Sequence, residues 1–417
     1  MEVVLGQKKT PLLSCRTEDE LFSKCLTFYW ASSIANSVLK RIIGGGMFGT
    51  IISAIVCMPI FFYFAMRALF AICQKKERCI ALVIPALVFL LAFAVSYLRG
   101  TPLDPMPTLI MWGMLGLFQA TVVISISDYE VLYSEFRRMI PIYLLLALPS
   151  AIASSASDEY MMNFSFMLVL PICLSFYEFF EKKHLIYCIP FLGFCILVVL
   201  FGARGPLGCI LAFVLLYVVF KSKKISVKIA LILFITIGLL FYTQILTFVA
   251  TFLDNHGISS RTIWILVNDP THTSGREVLY IQAQKMIDMK PYLGWGVAGE
   301  RVSMDVYPHS IVYEFLIDFG KPLGFFLLIL ILGILIIGFS GYRQKAGFFY
   351  TTFIARSISL LWSGSYLSSP SFWIAIYMAV VIIRQKLDER YILSIRLRTQ
   401  ESQPEWEKQL WNRADTT

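Results

Sequence analysis

Charge is scarce in this chain. Asp, Glu, Lys and Arg make up 15% of its 417 residues, against roughly 25% in a soluble domain, and that shortage excludes a water-soluble globule. No cleavable secretory signal is expected, because residues 1–24 are polar and charged, with no apolar core and no small-residue cleavage site. No DxD or ExD pair occurs, so the acidic metal signature of many sugar transferases is absent. No glycine loop ends in GKS or GKT, which argues against an ATP-driven machine, and there is no GxSxG. The four histidines lack metal-ligand spacing and the nine cysteines form no CxxC pair. None of those cysteines lies between residues 249 and 309, so no disulfide frames that stretch. Neither a metal nor a cofactor is expected.

Apolar residues fill the space that charge leaves. They make up 58% of the chain, and the mean hydropathy is +0.71. Twelve hydrophobic runs cover 25–43, 47–73, 79–98, 107–126, 139–154, 161–180, 185–201, 206–220, 228–248, 310–340, 347–365 and 370–384. Runs of this length indicate helices rather than barrel strands, since a buried backbone in lipid must bond to itself. The expected fold is an all-α polytopic membrane protein of about 12 transmembrane helices, with one long extracytoplasmic loop that contains helix.

The basic residues set the expected orientation. With the N-terminus inside, the inner segments are 1–24, 74–78, 127–138, 181–184, 221–228, 341–346 and 384–417, and they hold 24 of the 36 Lys and Arg residues. The chain then divides into a cytoplasmic N-terminus (1–24), nine helices (25–248), the outer loop (249–309), three more helices (310–384) and a cytoplasmic tail (385–417). The tail, with Pro404, Trp406 and Trp411, reads as surface-lying and is assigned no chemistry. The net charge of +9 sits in short loops, so anionic membrane lipid, not nucleic acid, is the expected partner.

The outer loop is the one place where a water-facing site of any size fits. Arg276 opens an amphipathic helix in which Val278, Leu279, Ile281, Met286 and Ile287 are apolar and Gln282, Gln284 and Lys285 polar. Pro291 ends it, and Gly294, Gly296 and Gly299 let the backbone turn back. His309 follows Tyr307 and Pro308 at the mouth of the tenth hydrophobic run, as a loop residue, while Glu314 and Asp318 share a helical face beyond it. On the same side lies Arg204, flanked by Gly202, Gly205 and Gly208, either as a headgroup-snorkelling arginine or as an anion-binding one. Arg67 is expected to snorkel at the inner end of the second run. Arg356, in the middle of the eleventh, is costly unless it faces water or is paired, with Glu314 or Asp318 as the expected acidic partners. His256 and His272 sit among polar residues and are expected to be solvated.

Two arginines at a membrane surface suit a pyrophosphate, because the guanidinium fork grips phosphate oxygens at two points and stays charged. A nearby histidine can take a proton from an attacking hydroxyl near neutral pH. These residue types would permit glycosyl transfer from a polyprenyl-pyrophosphate sugar without a metal.

The succession GARG, then SGR opening a helix that ends in KPYLGWG, then YPHSIVYEFLIDFG, resembles the superfamily of O-antigen ligases and Wzy-type O-antigen polymerases. These are bacterial membrane glycosyltransferases of the GT-C class. The likeness in specific motifs spans residues 202–324, with Arg204, Arg276, Pro291, Gly294, Gly296, His309, Glu314 and Gly320 in the family's places. Ser310 stands where the family has asparagine, and Lys321–Pro322 implies a kink in the tenth helix. The resemblance implies catalysis by His309, Arg276 and Arg204, with Arg204, Arg276 and Glu314 binding substrate. It implies an undecaprenyl-pyrophosphate-linked glycan as donor, another as acceptor, and a chain-length regulator protein as a further partner. The location implied is the bacterial inner membrane, with the site on the outer, periplasmic face. The early glutamate of YPHSIVYEF favours a polymerase; a ligase transferring glycan to lipid A–core shares the donor, and a lipid-linked oligosaccharide flippase also fits twelve helices.

Overall fold

Proline and glycine cut the apolar sequence into the helices of the computed structural model, which describes residues 12–44, 46–153, 162–201, 204–221, 225–256, 261–268, 275–304, 306–339 and 344–401. Gly202, His272, residues 1–11 and the tail from 402 onward, with Pro404, Trp406 and Trp411, lie outside the described residues. Among the described residues there are sixteen α-helices and no strand.

The first half of the chain comprises α1 (Leu12–Ile43), α2 (Met47–Cys57), α3 (Pro59–Cys73), α4 (Lys76–Leu98), α5 (Met106–Ile124), α6 (Tyr129–Ala153), α7 (Met162–Phe180) and α8 (Cys188–Phe201). The second half comprises α9 (Arg204–Lys221), α10 (Ile225–Leu240), α11 (Tyr242–Asn255), α12 (Arg261–Asn268), α13 (Arg276–Met289), α14 (Ile311–Phe339), α15 (Gln344–Ser357) and α16 (Pro370–Glu401). Each of the twelve apolar runs contains helix among the described residues, but several are divided or stop early. The run 47–73 breaks before Pro59, the first residue of α3, where a missing N–H costs the helix least, and the two pieces bend by 58°. The run 228–248 falls into α10 and α11.

Five described helices are long and apolar enough to cross a membrane: Lys76–Leu98, Met106–Ile124, Met162–Phe180, Ile311–Phe339 and the stretch Pro370–Asp388 of α16. The bent pair Phe48–Cys57 and Pro59–Cys73 makes a sixth if it is one span. Leu87, Leu91, Ile329 and Leu332 are exposed on α4 and α14. A helix that shows large apolar side chains outward and satisfies its backbone internally suits lipid as its solvent. The molecule is therefore an all-helical protein of membrane type.

The core runs between α1, α6, α7, α9 and α15, with Trp30, Phe136, Tyr143, Phe348, Phe349 and Phe353 fully buried. Small residues let the helices close up, as where Gly116 of α5 meets the ring of Trp373 and Gly338 of α14 meets Tyr350. A second cluster joins α4 and α5 to the start of α14, Val297, Ala298 and the 360–372 region. A third packs Ala283, Met286 and Ile287 of α13 on Leu316 and Ile317 of α14.

Candidate functional site

The chain from α13 to α14 is stitched to α14 by its main chain. The amide of Trp295 donates to the Ile317 carbonyl at 2.8 Å, Gly296 to Asp318 at 2.9 Å and Lys321 to Pro291 at 2.6 Å. These bonds form because α14 opens at Gly320, whose φ of 76° and ψ of 168° free the carbonyls there. The expected kink is thus present, with Gly320 rather than Lys321 at its centre. Two glycines make the crossing possible. A Cβ on Gly294 (φ 62°) would stand 2.4 Å from the Asp318 carbonyl oxygen, and one on Gly320 would stand 2.4 Å from that of Tyr292. The indole of Trp295 donates to the Met286 carbonyl at 2.9 Å, under the Lys290 ammonium 3.7 Å from its ring. Arg99, just past α4, donates to the Leu293 carbonyl at 3.2 Å and ties the segment to a second helix.

Three buried acids lie under this crossing: Glu300, Glu314 and Asp318. Asp318 is fully engaged, accepting from the Tyr366 hydroxyl at 2.7 Å and the Gly299 amide at 3.1 Å. Glu314 accepts from the Tyr366 amide at 3.1 Å and from the Ser365 hydroxyl. Its Oε1 and the Oε2 of Glu300 are buried with no hydrogen-bond partner among the described residues. Glu300 also meets the Arg301 guanidinium at 3.4 Å. Burial pushes the Glu300 carboxyl above the usual carboxylate range, and it holds the Tyr366 phenol, bonded to Asp318, far above its own.

His309 precedes the first residue of α14, as its loop assignment requires, with the left-handed φ of 56°. A non-glycine residue in this region is strained by about 1–3 kcal/mol. Its ring packs 4.3 Å from that of Tyr307, and Arg301 lies 5.8 Å from the Tyr307 ring on its own account. The Nδ1 of His309 is buried and has no partner among the described residues. Burial lowers its pKa below the ordinary value, and the charges of Arg276 and Arg301 lower it further. All three causes favour the neutral imidazole, the form that can accept a proton.

Arg276 begins α13 after Gly275, whose φ is 78°. Arg276 is near enough to His309 for its charge to act on the ring, and Glu314 lies in the first turn of α14. Arg204 opens α9 half-buried, beside Gly205, where α9 closes on Phe166 and Trp362. Trp362 and Tyr366 belong to the turn between α15 and α16, so this turn faces α9 at one residue and α14 at the other.

Arg356 departs from expectation. It ends up away from Glu314 and Asp318, whose partners are Tyr366, Ser365 and Gly299. Its guanidinium lies 5.3 Å from the Trp30 ring and its Nη2 3.5 Å from Met167 Sδ. The run 347–365 is also shorter than its hydropathy implies: α15 stops at Ser357, and two 3-10 turns, Ile358–Leu361 and Tyr366–Ser368, follow. His256 is exposed, with Nδ1 2.7 Å from the Phe252 carbonyl oxygen, and Arg67 donates to the Tyr63 hydroxyl at 3.2 Å in an exposed bond.

Glu300, Arg301, Ser365 and Tyr366 escaped the sequence reading. The Ser- and Gly-rich WSGSYLSSP was the available signal for the last two, and the glycines around VAGER for the first two. Among the described residues no three His, Cys, Asp or Glu side chains form a metal-ligand group. No protein-family model matches the chain, and no curated protein matches it either.

Proposed function

We propose that the protein is a polymerase of polyprenyl-pyrophosphate-linked oligosaccharide repeats, of the O-antigen, capsule or exopolysaccharide kind. The observation that carries this reading is His309, whose buried Nδ1 has no hydrogen-bond partner among the described residues and whose ring feels the charges of Arg276 and Arg301. In the reaction the acceptor sugar hydroxyl attacks the anomeric carbon of the donor. The new C–O bond forms as the bond to pyrophosphate breaks, and the leaving group departs with the electron pair. His309 takes the hydroxyl proton, while Arg276 and Arg204 neutralise the charge on the departing pyrophosphate. The bare oxygen of Glu314 is an acceptor for a sugar hydroxyl. In this reading the twelve runs cross the bacterial inner membrane and 249–309 lies outside. A topology reporter after Asn268 should be active only outside the cytoplasm, and one after Lys223 only inside; equal activity at both would remove the outer site.

Lipid-linked repeats and the purified protein in nanodiscs supply the direct test. His309→Ala should slow chain growth about 10²–10⁴-fold, the usual size of a general-base effect, with donor binding intact. Arg276→Ala and Arg204→Ala should weaken donor binding, each by roughly ten- to a hundredfold for one charge-assisted hydrogen bond. Wild-type turnover in the histidine variant, or unchanged donor affinity in both arginine variants, sinks the mechanism. A deletion strain separates acceptors: single repeats at the surface support a polymerase, and long chains stranded on the carrier point to a ligase.

A further inference from the structure

Arg356 is buried at the end of α15 with soft, uncharged company. Its guanidinium covers the Trp30 ring at 5.3 Å and touches Met167 Sδ at 3.5 Å. The other groups near enough to act on its charge are the Tyr29 phenol and the Cys173 and Cys209 thiols. None is a carboxylate. The buried acids among the described residues, Asp19, Glu178, Glu300, Glu314 and Asp318, are all absent from the groups whose charge acts on Arg356. A guanidinium taken out of water without a counter-charge is costly, and an ionisable residue inside a membrane bundle marks a ligand path unless a partner answers it. A second donor waits at the same place. The Trp30 Nε1–H is fully buried and has no acceptor among the described residues.

The position of Arg356 tells what reaches it. The Cys209 thiol lies 3.7 Å from the Arg356 carbonyl oxygen, which sets this end of α15 level with the second turn of α9. Arg204 begins that helix five residues earlier, about 7 Å up the axis. The helices that carry Arg204 and Arg356 thus pack side by side. The planar guanidinium fork matches phosphate oxygens, and the aromatic and thioether wall tolerates a lipid-borne group.

We propose that Arg356 and the Trp30 N–H form a buried site for a phosphate-type anion beside the α9 helix that Arg204 begins. The anion is either a pyrophosphate, which is the donor's if the glycosyl-transfer reading holds, or the phosphate of a membrane phospholipid. The test uses the full chain in nanodiscs and does not read transfer, so it stands or falls apart from that reading. Binding of labelled inorganic pyrophosphate and the phospholipid retained in native mass spectrometry are measured for wild type, Arg356→Met and Trp30→Phe. If the anion is pyrophosphate, Arg356→Met should weaken its binding tenfold or more, and Trp30→Phe should weaken it less. If it is a headgroup, pyrophosphate affinity stays and the retained phospholipid is lost from Arg356→Met. Methionine fills similar volume without the charge, so the melting temperature should hold or rise in either case. Should Arg356→Met fail to fold, Trp30→Phe decides by the same two readouts. Unchanged pyrophosphate affinity together with unchanged retained lipid overturns the site.

Discussion

At the end of the bundle away from the 276–310 segment, Glu178 is fully buried and both of its oxygens are answered. Tyr133 donates to one, with Arg137 Nε 3.5 Å away, and His184 Nδ1 shares a 2.7 Å bond with the other. Close by, the Lys345 ammonium lies 3.2 Å from the Tyr133 ring, and the amides of Ser127 and Asp128 cap Asp19. At the loop end Glu300 and Glu314 are as deeply buried, yet each keeps an oxygen that no described group donates to, and His309 keeps a nitrogen. A satisfied buried network holds helices in register; an unsatisfied one raises the energy of the fold and persists where a ligand completes it. The contrast separates scaffold from site.

The largest effect should come from closing the main-chain crossing itself. Gly320→Ala sets a Cβ 2.4 Å from the Tyr292 carbonyl at a φ of 76°, which adds clash to a strain of about 1–3 kcal/mol. Both the melting temperature and transfer should collapse. A variant that melts and turns over like wild type would show that the crossing does not hold the site.

Next come the two glutamates, which should respond in opposite ways. Glu178→Gln should lower stability by about 1–3 kcal/mol, the size of a buried charged hydrogen bond, and leave turnover of the folded protein unchanged. Glu314→Gln should leave the melting temperature close to wild type, because Tyr366 N still has an oxygen to bond. Its transfer should fall roughly ten- to a hundredfold, since the amide keeps one oxygen for Tyr366 and puts an NH2 where the free Oε1 would accept from a sugar hydroxyl. Thermal melts beside transfer assays score both. Matching stability losses in the two variants would erase the distinction between the ends.

The smallest effect concerns pH. Burial and two arginines depress the His309 pKa, so the neutral, proton-accepting form persists to a lower pH than in a free histidine, which titrates near about 6.5. The acid limb of kcat/KM should therefore have its midpoint below that value. Arg301→Gln removes one of the depressing charges and should move the limb toward higher pH. A limb that stays put in this variant, or a wild-type midpoint above 6.5, would contradict the two-arginine setting.

Much of the loop end is legible in the sequence because it is local. The helix opening at Arg276, its stop before Pro291, the glycine turns and the shared face of Glu314 and Asp318 each depend on a few neighbouring residues. Tyr366 reaches Asp318 from 48 residues away and Glu314 from 52, and no periodicity encodes such a meeting. Hydropathy also conceals where a helix stops. Residues 347–365 are apolar enough to read as one helix, but past Ser357 the chain makes a 3-10 turn over Ile358–Leu361 and leaves helix over 362–365, which brings Trp362 and Tyr366 to different neighbours. Arg356 illustrates a further limit. Its residue type asks for an anion, and a search among the chain's own carboxylates returns the wrong partner.

The crossing of the 291–304 segment over α14 is made almost wholly by peptide groups, and this has a consequence for how the molecule can change. Tyr292 and Leu293 stand on that crossing with side chains 77% and 73% exposed, while their backbone is fixed by Pro291, Trp295, Gly296 and Lys321. A scaffold held by its main chain does not notice which side chains it displays. New residues at 292 and 293 can reshape what passes over the site while His309 and the acids beneath it stay where they are, so mutation has a free hand at the surface and none at the glycines.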